Sequence, residues 1–136
     1  MRLLTEMDGE RLLQAAKKTR NLAHAPYSGF QVGAAILAED GTVFSGCNIE
    51  NSSYGLTICA ERVALFKAVS EGSVSFDAIA LVTDTDEPVM PCGACRQVLA
   101  EFNPDMIVVS GTIRGKSVSR KLSELLPEPF GKKHIS

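Results

Sequence analysis

The pattern of apolar and polar positions changes period several times along the chain, and each change marks an element. In "GERLLQAAKKTRNLA", Leu12, Ala16, Thr19 and Ala23 recur at helical spacing. Thr5 and Asp8 ahead of them have the spacing of a capping box. "HAPYSGF" breaks the helix with Pro26 and Gly29. "QVGAAILAEDGTVFSGCNIE" reads as two strands around an Asp40-Gly41 turn. After the polar loop "NSSYGLT", "CAERVALFKAVSEG" is helical but apolar on almost every face, with Gly72 at its end. "FDAIALVT" and "MIVVSG" are continuous apolar runs, as expected of strands covered on both faces. Between them "CGACRQVLAEF" forms a helix that Asn103-Pro104 stops. "KSVSRKL" suits a last edge strand, and "SELLPEPF" a short helical turn ended by Pro127. The order α-β-β-α-β-α-β-β predicts an α/β fold with a mixed sheet and helices on both faces.

Composition narrows the possibilities. The chain has 136 residues, enough for one domain with a core, expected to span 1–136, and 45% of them are apolar, which argues against a disordered tail. Fourteen Lys and Arg against sixteen Asp and Glu leave a net charge of −2. No basic run exceeds Lys17-Lys18-Thr19-Arg20, so nucleic acid is not an expected partner. The start "MRLLTEMDGE" has acids where a signal peptide has an apolar core, and no stretch reaches the length of a membrane span. The expected location is the cytoplasm, with no membrane partner. There Cys47, Cys59, Cys92 and Cys95 stay reduced, which disfavours a structural disulfide.

Three of these cysteines carry the candidate chemistry. Cys59 opens one helix, and Cys92 and Cys95 open the next. Helix starts favour thiolate over thiol, and three converging thiolates suit a zinc ion. Three protein ligands leave the fourth position for water, the pattern of a catalytic rather than a structural site. Glu61, two residues after Cys59, stands where a general base for that water belongs. Three thiolates and one Zn²⁺ sum to −1, and Arg62 and Arg96, each directly after a motif residue, are placed to offset this by donating to sulfur. A plainer reading stands beside this one. C-x-x-C alone also serves structural zinc and redox pairs, His24 or His134 would close a Cys₃His site, and Phe30 and Tyr54 suit a core equally well. Cys47 reads as a small buried apolar residue.

"CAE" at 59–61 with "PCGAC" at 91–95 is the three-cysteine form of the zinc-deaminase signature. Together with "YSGFQVGAAI", "GCNIENSSYGLTICAERVALFKAVSEG" and "PCGACRQVL", the chain resembles the small tetrameric cytidine deaminases over nearly its whole length. The resemblance implies a three-layer α/β/α sandwich with a mixed five-stranded sheet. It also implies one zinc per chain and hydrolytic deamination of cytidine and 2′-deoxycytidine in pyrimidine salvage. It makes Cys59, Cys92 and Cys95 the zinc ligands and Glu61 the proton shuttle. Asn48 and Glu50 of "NIEN" become the holders of the ribose hydroxyls, and their alternation along a strand end predicts that both point to one side. The resemblance places Phe30 against the base and Tyr54 near the sugar, counts Ala60 among the substrate-binding residues, and makes Phe130 a cap on the site of a neighbouring subunit. A homotetramer with shared active sites follows, and it accounts for the excess apolar surface of "CAERVALFKAV". Two alternatives remain: a deaminase of another aminopyrimidine such as blasticidin S, and a non-catalytic zinc-stabilised module.

Overall fold

A computed structural model describes residues 4–135, so the first three positions of the acidic start lie outside it. Helix α1 (Glu6–Arg20) begins with the expected capping box. The Asp8 N–H donates to Thr5 Oγ1 at 3.0 Å, and the Thr5 N–H donates to Asp8 Oδ2 at 3.3 Å. The helix ends at Arg20, three residues before Ala23. The backbone there tightens into i→i+3 bonds, Leu22 N–H to Thr19 O and Ala23 N–H to Arg20 O. It then leaves the helix because His24 pairs with the segment around Ile49, donating to Asn48 O and accepting from the Glu50 N–H.

Strands β1 (Gly33–Ala38) and β2 (Val43–Cys47) form the expected hairpin. Its loop is longer than a two-residue turn. Gly41 takes φ 94°, and Asp40 Oδ1 accepts from the Thr42 N–H at 3.0 Å. Helix α2 (Ala60–Ser70), strand β3 (Phe76–Thr83), helix α3 (Gly93–Phe102) and strand β4 (Ile107–Thr112) follow. Strand β5 (Ser117–Lys121) and the short helix α4 (Leu122–Leu125) complete the order. The sheet runs β2-β1-β3-β4-β5. Only β3 and β4 are parallel, as the crossover through α3 requires, and the sheet is therefore mixed.

The strands β1 and β3 are buried on both faces, which explains their unbroken apolar runs. Ala34, Ile36, Ile79, Leu81 and Val108 point to one side and pack with Ala64, Leu65, Leu99 and Leu122 from α2, α3 and α4. Ala35, Leu37, Ala78, Ala80 and Val82 point to the other side and meet Leu12 and Ala16 of α1. The chain thus builds the three-layer α/β/α sandwich, with the larger residues on the side of α2, α3 and α4 and alanines under α1. Two glycines set the closest approaches. A Cβ on Gly33 would lie 1.8 Å from the Ala16 carbonyl oxygen, and one on Gly46 would lie 2.6 Å from the Ala64 nitrogen. Gly46 therefore fixes how near α2 sits to β2.

Both contacts are with backbone, which cannot rotate away. Gly33→Ala and Gly46→Ala should each lower the unfolding free energy by at least the roughly 1–3 kcal/mol typical of overpacking. Gly93→Ala, with nothing within 4 Å of the added carbon, serves as the control. Urea denaturation of the three variants checks this, and equal midpoints would contradict the packing account.

Candidate active site and metal centre

The two helices on the same face of the sheet bring their first residues together. Cys59 is the N-cap of α2 and Cys92 the N-cap of α3, both with extended backbone and neither using its side chain to cap the helix. Their sulfurs are therefore free for another partner, and they lie 3.8 Å apart. Cys95, in the first turn of α3 and fully buried, completes a group whose ligand atoms all fall within 4.8 Å of one another. A tetrahedral zinc with Zn–S of about 2.3 Å separates its sulfurs by roughly 3.8 Å. The donor set and spacing therefore fit zinc. Among the described residues no histidine joins the cluster. His24 is committed through its backbone to Asn48 and Glu50, and the His134 ring stacks on Phe130 with centroids 5.2 Å apart. Three ligands without a fourth is the open pattern, and it disfavours the closed structural site.

The sulfurs share their protons unequally. A hydrogen bond from Cys95 lowers Cys59 to about 5, helped by Arg62, while Cys95 is held far above the usual thiol range by that same bond, by burial and by neighbouring negative charge. Arg62 Nη2 donates to Cys59 Sγ at 3.4 Å, and its buried Nε has no hydrogen-bond partner. A permanent cation with a spare donor thus lies against the thiols, as the charge sum requires. Arg96 does not share this task. Its Nε donates to the Pro91 carbonyl at 2.7 Å and its Nη1 to the Leu125 carbonyl at 3.0 Å. Its place one step past Cys95 turns the side chain away from the sulfurs, toward the loop and α4. The expectation of two arginines on sulfur is corrected to one.

Glu61 is only 5% exposed, in the first turn of α2. Burial, with the nearby Cys59 charge, pushes its carboxyl up to about 7. The carboxyl lines a cavity of about 240 Å³ together with Cys59, Cys92, Ala60, Phe30 and Asn48. One cavity is thus lined by two of the thiols, the buried acid and three of the expected substrate-binding residues. The Asn48 amide is tied on both sides, donating to the Phe30 carbonyl at 2.8 Å and accepting from the Val32 N–H at 2.9 Å. Glu50 and Tyr54 line an adjoining hollow of about 350 Å³ with Tyr27 and Ser28, and Thr57 borders both spaces. Asn48 and Glu50 therefore serve neighbouring compartments. The chain past Cys47 leaves the regular strand, which is why simple alternation does not describe them.

Phe130 lies elsewhere. It is 60% exposed and borders a separate hollow beside the far part of α3, with Pro127, Glu128 and His134. The Gln97 side chain grips its backbone twice, donating to the Phe130 carbonyl at 2.7 Å and accepting from the Phe130 N–H at 3.2 Å. Tyr27, Ser28, Thr57 and Gln97 received no role from the sequence. The first two sit inside the quoted "YSGF", and Gln97 directly follows "CGACR", so position in a motif was the available signal. Cys47 is half-buried at the end of β2, and burial raises its thiol.

An α/β/α sandwich holding a three-thiol zinc site beside a buried carboxyl defines a zinc-dependent hydrolase of the aminohydrolase class. The family model for the cytidine and deoxycytidylate deaminase zinc-binding region matches residues 7–111, and the chain belongs to this family. It is 55% identical to the cytidine deaminase of Sporosarcina psychrophila over 96% of both chains. The crystal structure of the cytidine deaminase from Burkholderia pseudomallei superposes with a TM-score of 0.86 at 49% identity, covering 89% of this chain and 98% of that one. The blasticidin-S deaminase of Bacillus cereus is more distant, 38% identical over 71% of this chain and 74% of its own length.

Removing a ligand should separate metal from fold. Cys92→Ala, at an exposed N-cap, should release the zinc and lower the melting temperature, since metal binding adds to folding stability. Cys47→Ala should retain the parent zinc content. Atomic absorption per chain with thermal denaturation checks both, and full zinc in Cys92→Ala would remove it from the ligand set.

Proposed function

We propose that the chain hydrolytically deaminates cytidine and 2′-deoxycytidine to uridine and 2′-deoxyuridine, releasing ammonia. The observation that carries this reading is a buried acid lining one cavity together with the thiols Cys59 and Cys92 and with Phe30 and Asn48. Cys59, Cys92 and Cys95 would hold the zinc, with Arg62 balancing their charge. When bound there, zinc supplies Lewis acidity and lowers the pKa of water at the open position. Glu61 takes a proton from the attacking water and delivers it to N3 of the ring, which makes C4 electrophilic as the oxygen adds. Glu61 then takes the hydroxyl proton at C4 and passes it to the amine, which leaves as ammonia. One water is consumed, and its two protons end on N3 and on the amine. Phe30 and the short Ala60 shape the space for the ring. Asn48, Glu50 and Tyr54 attend the sugar, with the Glu50 carboxylate accepting from hydroxyls.

A blasticidin-type substrate is the second reading. The ionised Glu50 in the hollow beside the inner cavity, suited to a hydroxylated sugar, favours the nucleoside, as does the greater similarity to cytidine deaminases. The net charge of −2 gives a polyanionic substrate no attraction. We read residues 1–136 as one domain, since α1, α2, α3 and α4 all contribute buried residues to the cores on the two faces of one sheet. We place it in the cytoplasm, serving pyrimidine salvage, a reading supported by four free cysteines. Among the described residues no helix is long and apolar enough to cross a membrane.

A homotetramer with shared sites completes the proposal. Phe66 on α2 is 47% exposed and lines an apolar hollow with Ile49, Leu56 and Val63, a surface suited to a second copy. Phe130 lies outside the lining of its own chain's inner cavity, with its backbone held by Gln97 and its ring largely exposed, which supports a role toward a neighbour.

Two measurements bear on this reading. Glu61→Gln should keep zinc and substrate binding while kcat falls by roughly 10²–10⁴, the range for a lost general acid–base. A metal-replete variant with near-parent turnover removes Glu61 from the role. Truncation before Phe130 should lower activity with zinc retained, and dilution should do the same. A fully active species of 14.6 kDa in light scattering would refute the tetramer and the shared site.

A further inference from the structure

The turn that leads into β1 carries a hydroxyl that joins the two compartments of the site. Ser28 Oγ accepts from the Phe30 N–H at 2.9 Å and donates to Glu50 Oε2. The Ser28 N–H donates to Glu50 Oε1 at 3.1 Å, and the Tyr27 N–H to the same oxygen at 3.0 Å. Gly29, with φ 72°, reverses the chain between Ser28 and Phe30, so that the hydroxyl meets both neighbours. On its other side Phe30 is held by Asn48 through the carbonyl. A continuous set of hydrogen bonds therefore runs from Asn48 through Phe30 and Ser28 to Glu50. Its first members line the cavity beside the thiols and its last the outer hollow.

A carboxylate offers about four acceptor sites, and three are taken by Tyr27 and Ser28. The orientation of the remaining acceptor is thus set by the turn. The Ser28 hydroxyl is also the leading cause that holds Glu50 below the usual carboxylate range, so the group stays an acceptor and favours ligands that bring donors. Glu50 is otherwise a long side chain with several rotamers, and without this clasp it would give up entropy on meeting a ligand.

We propose that Ser28 is a positioning residue for sugar recognition. It fixes the free acceptor of Glu50 at a set distance from Phe30, and thereby selects nucleosides whose sugar hydroxyls reach that acceptor while the ring lies in the inner cavity. This rests on the reading of Glu50 and Phe30 as substrate contacts. The role is in binding, so its signature is in KM rather than kcat.

The test uses the full-length zinc-loaded enzyme with cytidine and with 2′,3′-dideoxycytidine, which lacks the 2′ and 3′ hydroxyls and keeps the 5′ one. Ser28→Ala should raise KM for cytidine about tenfold, the value of a hydrogen bond to a charged group, with little change in kcat or zinc content. On the dideoxy substrate the variant and the parent should have the same KM. Ser28→Thr, which keeps a hydroxyl, should restore most of the loss. In a Glu50→Gln background, Ser28→Ala should add little. Equal losses on both substrates, or losses that multiply fully in the double variant, overturn the proposal. A raised KM in Glu50→Gln with an unchanged KM in Ser28→Ala overturns it alone. An unchanged KM in Glu50→Gln overturns the reading of Glu50, and the proposal with it.

Discussion

Three thiols drawn within 4.8 Å of one another are the constraint around which this molecule is arranged. Their negative forms repel, and little in a protein interior compensates such a cluster apart from a bound cation, helix N-termini and a fixed arginine. The last two converge here, at a site whose donor set fits the first. Two helices start at the same sheet edge, each with a cysteine as its N-cap, and Arg62 donates to Cys59. The parallel β3–β4 pair makes this possible, because the crossover between them lays α3 beside α2 on one face. Gly46 then lets α2 settle close to β2, which helps set the height of Cys59 and Glu61 above the sheet.

The first turns of α3 extend the influence of the cluster to the C-terminal segment. Cys95 points inward to the other sulfurs. Arg96 holds the carbonyls of Pro91 and Leu125, and Gln97 clasps the backbone of Phe130. Three consecutive residues thus connect the thiol group, the loop that precedes it and the tail. The same helix that supplies two of the thiols therefore also decides where the tail lies.

The inner and outer compartments hold their acids in different electrostatic settings. Glu61 lines the inner cavity, and burial lifts its carboxyl to about 7. The outer hollow is more open, and there hydrogen bonds from Tyr27 and Ser28 hold Glu50 as a carboxylate. Two acids eleven positions apart are pushed in opposite directions by desolvation and by hydrogen bonding.

The elements themselves were legible because their signals are local. Capping at Thr5 and Asp8, the Asp40-Gly41 turn, the apolar runs of β1 and β3, and the stop at Asn103-Pro104 each depend on neighbouring residues alone. The pairing of Cys59 with Cys92 and Cys95 was also legible, because helix-start positions can be read from spacing. The direction of a long side chain was not. Arg62 and Arg96 stand alike in the sequence, each one step past a motif residue, yet only Arg62 reaches sulfur. Packing of α3 against α4 claims the other. Ser28 and Gln97 likewise gain their partners from segments 22 and 33 positions away. A polar side chain bonds with whatever the folded chain brings near, and that neighbourhood is a property of the tertiary structure.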